Sequence, residues 1–176
     1  MEPSINNIWF KAYTIYQKNP EILEEFIKYL RKNPEKALEE AKKITFAEEK
    51  PEAILLGFSP QPLIAALTVS EKITVITSPE VYHATIPQAK YSHETLKIFK
   101  KKISETIVTP LAPKGETKPP QIVENLTKKL KKIKNKTLDI SGGTQLAAIA
   151  AYIAGIRKLT YTYPLGEKVV IYRLLL

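Results

Sequence analysis

The sequence predicts an α/β protein: a Rossmann-like, doubly wound, mainly parallel sheet with a C-terminal antiparallel hairpin, preceded by a small all-α N-terminal region. Three observations predict it. Residues 1–50 carry apolar residues at spacings of three and four, the period of amphipathic helices. From residue 52 short apolar, β-branched runs alternate with helical stretches, as in a parallel sheet with crossover helices. Residues 159–174 then hold two strand-like runs on either side of Pro164-Leu165-Gly166-Glu167. The division read from this is a helical region over 1–50 and a Rossmann-like domain over 52–176.

The elements follow in order. Ile5, Ile8, Trp9, Ala12, Ile15 and Tyr16 mark a first apolar stripe, and Ile22, Leu23, Phe26, Ile27 and Leu30 a second. Asn19-Pro20 and Asn33-Pro34 are breaks, each with an Asn to cap and a Pro at the first helical position. Two or three short helices thus run to about residue 46, and Ala47 to Pro51 is a polar joint. Ala53 to Phe58 is a buried strand, with a Ser59-Pro60-Gln61-Pro62 exit loop and a helix beginning near Leu63. Lys72 to Thr77 is a second strand, broken at Ser78-Pro79 and followed by a helix over Ser92 to Lys102. Glu105 to Pro110 is a third strand, and a proline-rich loop leads to a basic helix over Gln121 to Lys134. Leu138 to Ser141 is a fourth strand and Gln145 to Ile156 its helix. Right-handed crossovers place helices on both faces. A strand order of 3-2-1-4 makes the loops after the first and fourth strands neighbours.

Composition narrows the chemistry. There is no Cys, which excludes disulfides, thiolate catalysis and Cys-ligated metals. No apolar run approaches a membrane span, and the first residues lack a secretory signal's character. A cytoplasmic protein without a membrane partner is expected. Abundant Lys, Glu and Ile with few Gln is the composition of a thermophile's protein. The net charge of +9 lies wholly in residues 51–176, because the first fifty residues balance. A basic field attracts anionic partners. The neutral helical region argues against DNA binding there. The lysine run from Lys128 to Lys136 reads as a solvated face.

The segment Thr137 to Gly155 carries the most suggestive chemistry. A strand, a Ser141-Gly142-Gly143-Thr144 turn and an apolar helix follow one another. Paired glycines allow φ > 0 and let a ligand approach the amides. A helix start offers unsatisfied N–H groups and a positive dipole end, together an anion site. The competing reading is a strand–helix corner in which Gly only turns the chain. Ser59 is a ligand contact or a helix N-cap. Asp139 is a ligand contact or a buried carboxylate fastening loop amides, the second favoured because it lies within the strand and buried carboxylates want N–H partners. His83 follows Tyr82 and either stacks on a base or is an ordinary loop histidine. The two histidines, His83 and His93, with Glu80 and Glu94, match no metal spacing. No metal and no cofactor are expected. Ala147, Ala148, Ala150, Ala151 and Ala154 make a slim helix suited to close packing, internal or at a dimer axis.

Two segments, ILLGFSPQPLIAAL after the first strand and LDISGGTQLAAIAA at the fourth, together with the terminal hairpin, resemble a CARF domain, the CRISPR-associated Rossmann fold. The family's fourth-strand motif is Asp-x-[Ser/Thr]-Gly-Gly-Thr-[Lys/Arg], here Asp139-Ile140-Ser141-Gly142-Gly143-Thr144-Gln145. The resemblance covers about residues 52–176. It implies a homodimer that binds a cyclic oligoadenylate, tetra- or hexa-adenylate, across its two-fold axis, a second messenger of type III CRISPR defence. An isologous dimer repeats its loops about that axis, and a ring of identical nucleotides can share it. The ligand contacts so implied are Ser59, Gln61, His83, Ser141, Gly142, Gly143, Thr144 and Gln145.

Some CARF proteins are ring nucleases, which cut the ring without metal by orienting the ribose and stabilising phosphoryl charge. Ser59 and Gln145 are the catalytic candidates by that resemblance. The family's basic residue is replaced here by Gln145, whose amide donates a hydrogen bond but does not neutralise an oxyanion. Lys114 or Lys118 is a possible second source of charge. Three readings stand: a sensor of cyclic oligoadenylate, a small ring nuclease, and a transcription regulator with its helical half on DNA or a partner protein. Fifty residues are too few for a fused nuclease effector.

Overall fold

The computed structural model describes residues 20–165 and 167–174. The stripe from Ile5 to Tyr16, including Trp9, lies outside them. Seven strands form one sheet: β1 (Thr45–Ala47), β2 (Ala53–Leu56), β3 (Ile73–Thr77), β4 (Ile103–Val108), β5 (Leu138–Asp139), β6 (Leu159–Leu165) and β7 (Lys168–Leu174). Their order is β1-β7-β6-β5-β2-β3-β4. Strands β2 to β6 are mutually parallel, β6 and β7 form the antiparallel hairpin, and β1 pairs parallel to β7. The fold is the Rossmann-like α/β architecture, with the 3-2-1-4 order that the loop argument needs.

Among the described residues seven α-helices pack against it: α1 (Pro20–Lys32), α2 (Pro34–Ile44), α3 (Gln61–Val69), α4 (Pro79–His83), α5 (Lys90–Ile98), α6 (Pro119–Leu130) and α7 (Gln145–Ile153). Strand β2 shows why the sheet is covered on both sides. Ile54 and Leu56 belong to one apolar cluster and Ala53 and Leu55 to the other, alternating as strand residues do. The first cluster contains Phe26, Leu30, Ala37, Ala41, Leu63 and Leu96, from α1, α2, α3 and α5. The second contains Leu126, Leu130, Ala147, Ala150 and Ala151, from α6 and α7.

Several boundaries differ from expectation, each for a physical reason. Helix α2 stops at Ile44, and Thr45–Ala47 is a strand on the free edge of β7. The hairpin is therefore not the sheet's edge. Lys168 holds Phe46 there, its Nζ 4.9 Å from the ring centroid. Asn33 stands at the N-cap of α2 with Pro at the first position, but its side chain makes no capping bond. A five-residue helix, α4, interrupts the expected loop after β3. Ser78 caps it, accepting from the Val81 amide at 3.4 Å, and Ala84 ends it at φ 52°. Helix α7 ends at Ile153 rather than Ile156, because Gly155 at φ +80° lets the Ile156 amide return to the Ala151 carbonyl.

Phe26 is fully buried in the same cluster as Ile54 and Leu56. Phe26→Ala is expected to cost about 3–5 kcal/mol. Denaturant unfolding followed by fluorescence and by circular dichroism should show one transition moved to lower denaturant. A separate early transition would mean that α1 folds apart from the sheet.

Candidate functional site

The chain leaves β2 toward β3 and β4 on one side and returns to β5 on the other. The switch point lies between β2 and β5, where ligands of such sheets bind. The two loops singled out in the sequence meet here. A Cβ on Gly57 would lie 2.5 Å from the Gly142 carbonyl oxygen, and one on Gly142 would overlap the Leu55 carbonyl. A Cβ on Gly143 would stand 2.6 Å from Leu55 Cδ1. Neither Gly142 nor Gly143 has positive φ; among the described glycines only Gly115 and Gly155 do. The glycines are thus not needed for a left-handed turn. They let two backbones interlock, and the space freed by the missing side chains is filled by the neighbouring loop.

Asp139 holds this turn from below. It is fully buried. Its Oδ1 accepts from the Ser141 amide at 3.0 Å and from the Ser141 hydroxyl. Its Oδ2 accepts from the hydroxyls of Thr160, at 3.1 Å, and Thr162, at 2.8 Å. Burial pushes its pKa above the ordinary carboxylate range, and the hydrogen bonds from Ser141, Thr162 and Thr160 oppose that shift. Asp139 is therefore the fastening that the sequence indicated. It explains why β5 is only two residues long: the Ser141 amide bonds to a side chain, not to a neighbouring strand.

Thr144 is the N-cap of α7. Its hydroxyl accepts from the Ala147 amide at 3.3 Å and donates to the Leu111 carbonyl at 2.6 Å. One contact caps the helix and the other ties it to the loop after β4. The Gly143 amide is spent on the Ile140 carbonyl at 3.0 Å. The amides of Gly142, Thr144, Gln145 and Leu146 have no partner among the described residues. They sit at a dipole end that favours negative charge.

Beside them opens a crevice of about 360 Å³, lined by Gly57, Phe58, Ser78, Glu80, Leu111, Lys114, Gly142 and Thr144 among others. It runs along the carboxyl ends of β2, β3, β4 and β5. Lys114 donates to Glu80 Oε1 at 3.1 Å. Partial burial raises the Glu80 pKa, but its own amide, the Ser78 hydroxyl and Lys114 outweigh that and hold it low. Ser78, Glu80 and Leu111 were not singled out in the sequence as site residues. The Ser78-Pro79-Glu80 run, a cap, a proline and an acid in the first turn, was the available signal.

The remaining candidates divide. Gly142 and Thr144 line the crevice; Ser141 is committed to Asp139, and Gln145 is exposed at the first turn of α7. Ser59 is not the cap of α3, whose N-cap is Pro60. Its hydroxyl donates to Oε1 of Gln61, which is fully buried and whose Nε2 has no partner among the described residues. Neither Ser59 nor Gln61 is among the crevice residues. His83 is exposed at the end of α4, edge-on to Tyr82 at 5.0 Å, and is not among them either. Lys118 precedes α6, away from the lining. Among the described residues no group of three His, Asp or Glu could hold a metal, and no helix is long and apolar enough to cross a membrane.

A large apolar surface adjoins the site. Ala147, Ala150 and Ala151 of α7 face the core, leaving Ile149, Tyr152 and Ile153 outward at 50%, 63% and 54% exposure. On β6, Leu159 is in the α7-side cluster, so Tyr161, Tyr163 and Leu165 point to that same side. The register adds Val170 and Tyr172 of β7 and Phe46 of β1. Tyr161 and Tyr163 stack at 6.5 Å. No described helix covers these strands on that side.

No family model and no curated protein matches the chain. Among solved structures, it is similar to the 1-acyl-sn-glycerophosphate acyltransferase PlsC from Thermotoga maritima. The identity is 12%, the TM-score is 0.36, and the match covers 97% of this chain and 83% of that one. A likeness that weak informs neither fold nor function.

Two outcomes test this geometry. Gly142→Ala forces the loops apart and should cost about 1–3 kcal/mol by overpacking, read as a lower unfolding midpoint. Asp139 binds its proton more tightly folded than unfolded. Its contribution to stability is therefore greatest below the ordinary carboxylate range and falls as pH rises to the raised folded pKa. The difference in unfolding free energy between wild type and Asp139→Asn should shrink with rising pH across that window. A difference that grows with pH would show that the four hydrogen bonds outweigh burial.

Proposed function

We propose that this chain binds a cyclic oligoadenylate between two copies of itself and acts as a sensor of that second messenger. One observation carries the reading. Four amides without a partner among the described residues, those of Gly142, Thr144, Gln145 and Leu146, stand at a helix start, and Gly142 and Thr144 line the switch-point crevice. A phosphate placed there completes their hydrogen bonds and meets the positive end of α7.

The outward side of α7 supports the two-fold partner. On this face Phe46, Ile149, Tyr152, Ile153, Tyr161, Tyr163 and Leu165 are each 39% exposed or more. An aromatic buries about 150–250 Å² in full, so half-burying the four aromatics gives roughly 300–500 Å², to which the three aliphatic side chains add. That is a substantial part of the ~800 Å² each partner contributes to a stable interface. A two-fold axis along this face repeats both glycine loops about one ring.

Binding is favoured over cleavage. Gln145 is neutral, and the one cation of the crevice lining, Lys114, is already paired with Glu80. Titration calorimetry with cyclic tetra- and hexa-adenylate should give heat with one of them, at one ring per two chains. A ligand at a hundred times its Kd should stabilise the dimer by about 2.7 kcal/mol. No heat and no thermal shift with either ring would overturn the proposal. In EDTA the ring should stay intact, and Gln145→Lys should begin to cut it. Ile149→Glu with Tyr152→Glu should leave a folded monomer by sedimentation, without ring binding.

A further inference from the structure

Strand β4 ends the strand order opposite β1, and nothing among the described residues pairs with its outer edge. The Thr109 amide donates to the Thr77 carbonyl at 2.9 Å. Backbone direction alternates along a strand, so the amides and carbonyls of Thr106 and Val108 point away from β3. Proteins blunt such edges with short strands, prolines or outward bulges. Strand β1 at the other edge has three residues. Strand β4 has six, ISETIV, with no proline; its register slips once, opposite Ile73 and Thr74, and is regular from Glu105 to Val108.

Beside this edge lies a groove of about 420 Å³ between β4 and α5. Leu96 and Ile103 supply its apolar surface, and Lys97 and Lys100 stand over it. Neither lysine has an ion-pair partner among the described residues, whereas Lys90 and Lys102 nearby are paired with Glu24 and Glu35. Glu105 is the one carboxylate of the lining, so the groove stays basic. A strand added to β4 would direct every second side chain toward α5 and those lysines.

We propose that the free edge of β4 and the α5 groove accept an extended acidic segment of a partner protein as an eighth strand. Backbone bonds to Thr106 and Val108 hold it, and Lys97 and Lys100 select carboxylates at alternate positions. This surface is independent of the nucleotide reading, since no crevice residue belongs to it.

The probe is a fluorescein-labelled ten-residue peptide of alternating glutamate and valine, with a lysine–valine peptide as control, followed by anisotropy with the full chain. The acidic peptide should bind, weaken as salt rises, and lose at least about tenfold in affinity to Lys97→Glu with Lys100→Glu. In the wild-type chain, hydrogen exchange should slow at Thr106 and Val108 on adding peptide, which tests the edge without a variant. Equal binding of both peptides, no binding, or an affinity indifferent to the charge reversal would overturn the proposal. So would an oligomer that Thr106→Pro dissolves in the absence of peptide, which would assign the edge to a second copy of this chain.

Discussion

The architecture of the switch point depends on one steric constraint: the backbone after β2 and the backbone after β5 occupy adjacent space with no side chain between them. Gly57 and Gly142 make that approach possible, and any Cβ at either would strike a carbonyl oxygen. Because the loops touch, β2 and β5 can be neighbours although the chain visits β3 and β4 between them. The crevice, the start of α7 and the tie from Thr144 to Leu111 all take their positions from that contact.

The buried Asp139 is the electrostatic counterpart of the interlock. Removing a carboxylate from water is costly unless donors surround it. Four donors do, from the turn and from β6. The same bonds consume the hydroxyl and amide of Ser141. The seven residues from Asp139 to Gln145 divide their polar groups: Asp139, Ser141 and Gly143 bond within the fold, and the amides of Gly142, Thr144 and Gln145 have no partner among the described residues.

Much of the fold was legible. Apolar runs of the right length located β2, β3 and β5, and the Asn33-Pro34 pair located the start of α2. What was missed had weak local signals. The three residues of β1 carry no period of their own and become a strand only because β7 offers an open edge. Helix α4 is five residues long, too short for a periodicity. The Gly-Gly turn was legible as special, but its reason was not: glycine in a sequence marks permitted backbone angles and permitted close approach alike. Ser59 beside Pro60 looked like a cap, and its hydroxyl instead meets Gln61.

By itself the sequence determined the alternation of strands and helices, the absence of cysteine chemistry and the placing of net positive charge after residue 50. These follow from local pattern and composition, which act over a few residues. Only the tertiary structure decided that Gly57 touches Gly142, that Lys114 pairs with Glu80, that four amides at α7 lack partners among the described residues, and that no described helix covers the α7 side of β6 and β7. Those properties join residues tens of positions apart, and no period or motif encodes a distance between segments that meet only when the sheet is assembled.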